Sequence, residues 1–382
     1  MSTPSLTQLS NNNTSQSDST QGQFCTAFGT RCYRISNVHR LPPFFINLVS
    51  ATDLWMFIAS NGALTAGRRD AECSLFPYQT VDRIYDSAGQ IGPVTLLGVD
   101  TPNGEIMWEP FGSNTNHLPH MNRHLYKSIE GDRLWFEEVR EDLGLAFCMS
   151  WSTADTHGFV RTCTLRRLSG NTVRVRILDG LRNILPAGVS QRLQSLSSNL
   201  ADAYKTCTLA SGSTCAIYAL QSQIVDLPKP VEATRASIVW STGLPDATIA
   251  LSDRNIDAFR AGEILPAEHQ TRGLRGSYLL SSTVELEPEQ SLDWQLVADT
   301  NLDQTQVVAR CRQAQDPHAI KITREAVASS TQQLRQLVAA ADGCQTSGDE
   351  ATTAHHFANV LFNVMRGGTF MTDHRLPMAD FS

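Results

Sequence analysis

Apolar and polar residues alternate along NTVRVRIL (171–178). Val173, Val175 and Ile177 fall on one side, Arg174 and Arg176 on the other. A period of two marks a half-buried strand in an antiparallel sheet. From about Cys32 to Thr300, strand-like runs follow one another, punctuated by turn formers. NG at 61–62 separates LWMFIAS from ALTAGR, PNG at 102–104 separates VTLLGVD from EIMWEPF, and GD at 131–132 separates LYKSIE from RLWFEEV. SGN at 169–171 and EPEQ at 287–290 divide further runs in the same way. Each predicts a hairpin, because Gly and Asn adopt positive φ cheaply. The succession predicts two packed antiparallel sheets, a large β-sandwich, in preference to a barrel.

Helical spacing interrupts the strands twice and then replaces them. Leu193, Leu196 and Leu200 predict a helix over 188–205, and RNIDAFR a short one over 254–260. Beyond about 302, DQTQVVARCRQAQ reads as a short helix. TREAVASSTQQLRQLVAAADGC reads as a longer one, capped by Thr323 and facing inward through Leu334, Leu337 and Val338. Residues 350–366 form a third, with Phe357, Val360, Leu361 and Val364 on one face. The expected organisation is a polar tail at 1–23, a β-sandwich at 24–300, helices at 301–349 and a further helical element from 350 to 382. The tail, rich in Ser, Thr, Asn and Gln, has too little to bury to pay for its own ordering and is expected to be disordered.

Composition narrows the function classes. The 382 residues carry a net charge of -7 with 41% hydrophobic residues, and no stripe of Lys or Arg. Nucleic-acid binding is therefore not expected, since phosphate contact needs a positive surface. No apolar run reaches the length of a membrane span, and the N-terminus lacks a basic start followed by an apolar segment. Nine cysteines without a CxxC fit free thiols in a reducing cytoplasm, with Cys148 and Cys163 as small core residues. No Ser–His–Asp, P-loop or dinucleotide pattern occurs; GVDTPNGE lacks the glycine spacing and the following helix.

Candidate chemistry concentrates in Ser60–Asp86, which holds Asn61, Arg68, Arg69, Asp70, Tyr78, Asp82, Arg83 and Asp86. Donors and acceptors for hydroxyls beside a flat ring suit a sugar; the same mixture also suits an ion-paired loop. In WEPFG, Trp108 and Glu109 form a possible sugar platform or a packed core pair. In RGLRGSY, Arg272 and Arg275 could fork onto an anion or tie a structural corner. His117, His120 and His124 lie in HLPHMNRHLY, where Pro119 breaks any helical zinc spacing and no further ligand completes four; no metal is expected. TNHLPH also invites comparison with aldose 1-epimerases, which need a His acid and a Glu base; Glu109, Glu137 and Glu138 are the available bases. His355 and His356 begin the last helix, and Arg366 with two glycines closes it.

Taken in combination, SNGALTAGR (60–68), FPYQTVDRIYDSAG (76–89), LDGLRNILPAG (178–188), NLADAYK (199–205), RGLRGSYLL (272–280) and HFANVLFNVMRGG (356–368) resemble glycoside phosphorylases of the cellobiose phosphorylase and cyclic β-glucan synthase kind. The resemblance implies a galactose-mutarotase-like super-sandwich, linker helices and the start of a six-hairpin (α/α) barrel. It implies a carbohydrate-active lineage, with an oligo- or polysaccharide as partner, inorganic phosphate as co-substrate in full-length relatives, and pairing of subunits as a homodimer. In that family the catalytic carboxylate lies in the barrel, past the position matching 382, so no catalytic residue is expected here. The alternatives are a binding or structural module without chemistry and a sugar epimerase.

Overall fold

The computed structural model describes residues 20–365 except 81, 114, 115, 117, 225–227, 229 and 230. The protein is mainly β. Its largest sheet has eleven strands, in the spatial order Gln21–Ala27 (β1), Thr30–Ser36 (β2), Met121–Ser128 (β8), Leu134–Arg140 (β9), Leu145–Ala154 (β10), Gly158–Arg167 (β11), Ser291–Leu302 (β19), Ala236–Thr242 (β15), Ala216–Leu220 (β14), Lys205–Leu209 (β13) and Gln270–Arg272 (β17). A five-stranded sheet runs Thr248–Ala250 (β16), Gly276–Leu286 (β18), Val173–Ile184 (β12), Gly92–Thr101 (β6) and Gly104–Trp108 (β7). A third, small sheet joins Phe45–Leu48 (β3), Leu54–Ala59 (β4) and Leu64–Arg68 (β5). The pairings between these strands are antiparallel, as the alternation predicts.

The main core lies between the sheets and holds Trp108, Trp151, Trp294, Phe147 and Tyr278. The outer faces are covered as well. Trp240 and Val297 on the large sheet meet Val307 of α4 (Gln304–Gln313) and Val327 of α5 (Ala319–Ala340). Leu178 and Leu279 on the five-stranded sheet meet Ile256 and Phe259 of α3 (Arg254–Arg260). Central strands buried on both faces lose the period of two. β12 starts alternating at Val173–Ile177 and then reads buried through Leu181.

Three predicted hairpins form, at 61–62, 102–104 and 131–132. The turns at 169–171 and 287–290 instead carry the chain from one sheet to another. β11 pairs with β10 and β19, whereas β12 pairs with β6 and β18, and β19 returns to the large sheet. Positive φ at Gly170 and Glu289 reverses the chain but does not choose its partner strand.

The helices also depart from their predicted form. Residues 188–205 make two short helices, α1 (Gln191–Leu196) and α2 (Ser198–Tyr204), broken at Ser197, with Leu196 and Leu200 exposed. Tyr204 is followed at once by β13, so sheet pairing takes the residue that would extend the helix. α5 begins four residues before Thr323, which is a fully buried interior position and no cap. Leu334 and Val338 face inward, while Leu337 is exposed. In α6 (Glu350–Met365), Leu361 is buried, with Phe357 and Val360 packed beside Leu334, Val338 and Val49. No helix among the described residues is long and apolar enough to cross a membrane.

Candidate functional site

Where the five-stranded sheet, the large sheet and the β4–β5 turn meet, the surface opens into a cleft of about 400 Å³. β8 supplies Arg123 and His124, β9 Phe136, β10 Met149, β6 Val94 and Thr95, and β12 Arg182. Ser60–Gly62, His39 and the segment after β7, from Glu109 to Ser113, close the rim.

The rim segment is held from beneath by Glu138, a fully buried carboxylate. It accepts bonds from Trp108 Nε1, the Phe111 backbone N–H and Arg123 Nε, each at 2.6 Å. Arg123 then reaches on to the Gly112 carbonyl at 2.7 Å and to Asn116. These bonds hold Phe111 at φ 64°, a left-handed conformation unfavourable for an aromatic residue, with its ring edge-on to Phe136 at 5.9 Å. The segment is thus a preformed wall. Behind the floor, Thr95 bonds Asp179 at 2.7 Å, and Asp179 also takes both Arg161 Nη1 contacts and Trp294 Nε1. This fully buried ion pair locks β6, β12, β11 and β19 together under the cleft.

Several lining residues carry a buried polar atom that the protein does not pair. Nδ1 of His39, Nδ1 of His124 and Nε of Arg182 are buried without a hydrogen-bond partner among the described residues. Burial, with Arg34 and His39 adding, brings His124 down to about 4. Burial and the Arg123 and Arg40 charges lower His39 as well. Both imidazoles are neutral near pH 7 and each offers one donor and one acceptor. Arg182 donates to the Gly89 carbonyl, and burial lowers its pKa. Glu109 lies 3.3 Å from Arg260 across the rim.

Three of the residues singled out in the sequence, Asn61, Glu109 and His124, line this cleft. Asn61 also closes the β4–β5 turn, accepting from Ala63 N and donating to the Tyr85 carbonyl, each at 3.2 Å. The rest of the Ser60–Asp86 set points elsewhere. Arg68 grips buried Asp299 at 2.7 and 3.1 Å and Asp53 at 2.6 Å. Arg69 has a left-handed backbone and reaches Cys73 Sγ at 3.5 Å. Asp70 caps the turn at Ala71–Cys73 through Glu72 N. Tyr78 stands edge-on to Trp55 at 5.8 Å. Asp82 is exposed, its carboxyl lowered chiefly by Thr80. Trp108 is core. Arg272 ends β17, and Arg275 forms a corner pair with Asp202 at 3.4 Å. Arg366 and His117 fall outside the described residues.

His120 is exposed and apart from the cleft, and among the described residues no cluster of three or more His, Cys, Asp or Glu side chains could hold a metal. Of the candidate bases, Glu137 is engaged by Arg166 at 2.6 Å and Tyr126 at 2.8 Å, and Glu138 by the rim. His39, Phe111, Arg123 and Arg182 had no role in the sequence reading. Phe111 and Arg182 sit inside segments it quoted, WEPFG and LDGLRNILPAG, but nothing local marked their direction.

No protein-family model matches the chain, and no curated protein matches it. Among solved structures, partial overlaps occur with a bacterial glucoamylase bound to acarbose (8% identity, 77% of this chain and 38% of that one, TM-score 0.42). A kojibiose phosphorylase candidate from the human microbiome overlaps at 7% identity, covering 87% of this chain and 35% of that one, TM-score 0.38. An aldose 1-epimerase candidate from Escherichia coli K12 overlaps at 11% identity, covering 68% and 99%, TM-score 0.33. The chain thus spans little more than a third of the first two. All three bear the names of carbohydrate-active enzymes.

Proposed function

We propose that the cleft binds a carbohydrate and that the sandwich is the sugar-binding part of a carbohydrate-active protein, without chemistry of its own. The observation that carries this is one lining shared by Asn61, His39, His124 and Arg182, the last three each with a buried nitrogen unpaired among the described residues. A buried donor or acceptor left unpaired costs roughly 1–3 kcal/mol, and a polyol supplies partners of both kinds at hydroxyl spacing. Phe111, half-buried at the rim and braced from behind by Phe136, supplies apolar surface of the kind a pyranose ring face needs. The resemblance to glycoside phosphorylases adds a finer reading, in which a β-linked oligosaccharide occupies the cleft and phosphorolysis belongs to a helical barrel. On that reading this chain alone releases no sugar 1-phosphate from β-linked disaccharides, and sugar 1-phosphate formed by the purified protein would refute it.

The test is saturation-transfer NMR and calorimetry with β-glucan oligosaccharides. Arg182→Ala and Asn61→Ala should each weaken binding about tenfold, the equivalent of roughly 1.4 kcal/mol. Arg69→Ala, outside the cleft, should leave it unchanged. Equal affinity in all three variants would place the ligand elsewhere.

A second reading is favoured by one observation: His124 and Glu109, residue types that sugar epimerisation uses, both line the cleft. Anomer equilibration of glucose or galactose no faster than in buffer, and unaffected by His124→Gln, would remove it.

A further inference from the structure

The β13–β14 hairpin is fastened to the end of α4. Its turn donates Ser213 Oγ to the Cys311 carbonyl at 3.3 Å, and its Gly212 carbonyl accepts from Gln315 Nε2 at 3.1 Å. The same Ser213 hydroxyl accepts from Cys215 N at 3.2 Å. One serine therefore holds both cysteines. Cys215 is fully buried at the head of β14, Cys311 is half-buried on α4, and the two side chains pack in one apolar cluster. A surface hollow of about 520 Å³, lined by Gly212, Ser213, Thr214 and Gln315, runs along this turn.

We propose that Cys215 and Cys311 are a redox modification site, forming a reversible disulfide that staples α4 to the β13–β14 hairpin when a hydroperoxide is present. Cys311 reacts first. The Cys215 thiol beside it lowers its pKa, favouring the thiolate, while the Cys311 neighbour and then burial raise that of Cys215. The Cys311 thiolate attacks one peroxide oxygen, the O–O bond breaks, and the leaving oxygen departs as water or alcohol after taking a proton. Cys311 becomes a sulfenic acid. The Cys215 sulfur then attacks the sulfenic sulfur, its proton joins the departing hydroxide, and water leaves as the S–S bond forms. Two thiols are oxidised for one peroxide reduced, and a dithiol reductant reverses the step. Cys25 and Cys32 also face each other across β1 and β2, but burial raises both thiols, that of Cys32 to about 11. Burial holds the Cys148 and Cys163 thiols far above their ordinary range, and Cys344 is exposed, its sulfur lying 3.8 Å from the Arg335 carbonyl.

The experiment treats the reduced, folded full chain with stoichiometric hydrogen peroxide, alkylates it, and maps peptides without reduction. The expected product is a linked Cys215–Cys311 peptide as the main disulfide. Because the bond closes a loop of roughly a hundred residues, Tm should rise by about 5 °C or more and fall back with dithiothreitol. In Cys215→Ser, Cys311 should instead be trapped as a sulfenic acid by dimedone. Separately alkylated Cys215 and Cys311 after treatment that oxidises Cys344 would overturn the proposal. So would a link that appears only in urea, or one with no change in Tm.

Discussion

Replacing Arg68 by Ala tests whether the Ser60–Asp86 segment serves ligand or fold. The guanidinium of Arg68 makes two bonds to Asp299, one to Asp53 and one, at 2.9 Å, to the Asp155 carbonyl. Asp299 is 0% exposed, whereas Asp53 is 40% exposed. Removing Arg68 leaves the buried carboxylate with the Thr300 N–H at 2.9 Å and the more distant Arg310 at 3.5 Å. Breaking a buried pair by deleting one partner costs about 3–5 kcal/mol, and the residual Arg310 contact places this case near the lower end. The exposed Asp53 contact adds less than about 1 kcal/mol. The expected loss is therefore about 3–4 kcal/mol, a large share of the roughly 5–15 kcal/mol by which a domain is stable. Urea unfolding followed by tryptophan fluorescence reads it. Asp299→Asn in the Arg68→Ala background should recover part of the loss, giving a coupling energy of at least about 1 kcal/mol in the double-mutant cycle. A cost below about 1 kcal/mol, together with weakened sugar binding, would show that Arg68 is a ligand contact and that its pairing with Asp299 is incidental.

Other consequences can be measured with the same tools. Asp179→Asn strips the fully buried Arg161 of its counter-charge and should cost about 3–5 kcal/mol; a loss under about 1 kcal/mol would contradict the role given to this network. Stability should also fall with acid through two histidines. Burial, chiefly, brings His124 and His157 to about 4 in the folded protein, against about 6.5 when unfolded. The unfolded chain therefore binds more protons between those values. The histidine contribution is fully present above about pH 6.5 and is lost as pH falls toward 4, with a slope of up to about 1.4 kcal/mol per pH unit for each. His157→Gln should flatten the profile in that window, and an unchanged slope would show that His157 is not buried neutral.

The alternation at Val173–Ile177 and the turn formers at 61–62, 102–104 and 131–132 determined by themselves that this is an antiparallel β protein, because side-chain period and positive φ are local properties. Helix existence after about 302 was equally local, since spacing at 3.6 residues needs no partner to be read. Thr323 lies inside α5 and caps nothing, because the helix starts at Ala319, packed on the outer face of the large sheet, a surface no local window contains. The turns at 169–171 and 287–290 became sheet crossovers for a related reason: strand choice depends on which apolar face is already covered. The same limit governed the site. Arg68 and Asp299 stand 231 positions apart, so the arginine looked available until the fold supplied its carboxylate. His39, Phe111, His124 and Arg182 come from distant elements and share a lining only because two sheets and a turn converge there. Residue types announce what bonds a side chain can make; only the packing decides which of those bonds the protein consumes and which it leaves for a ligand.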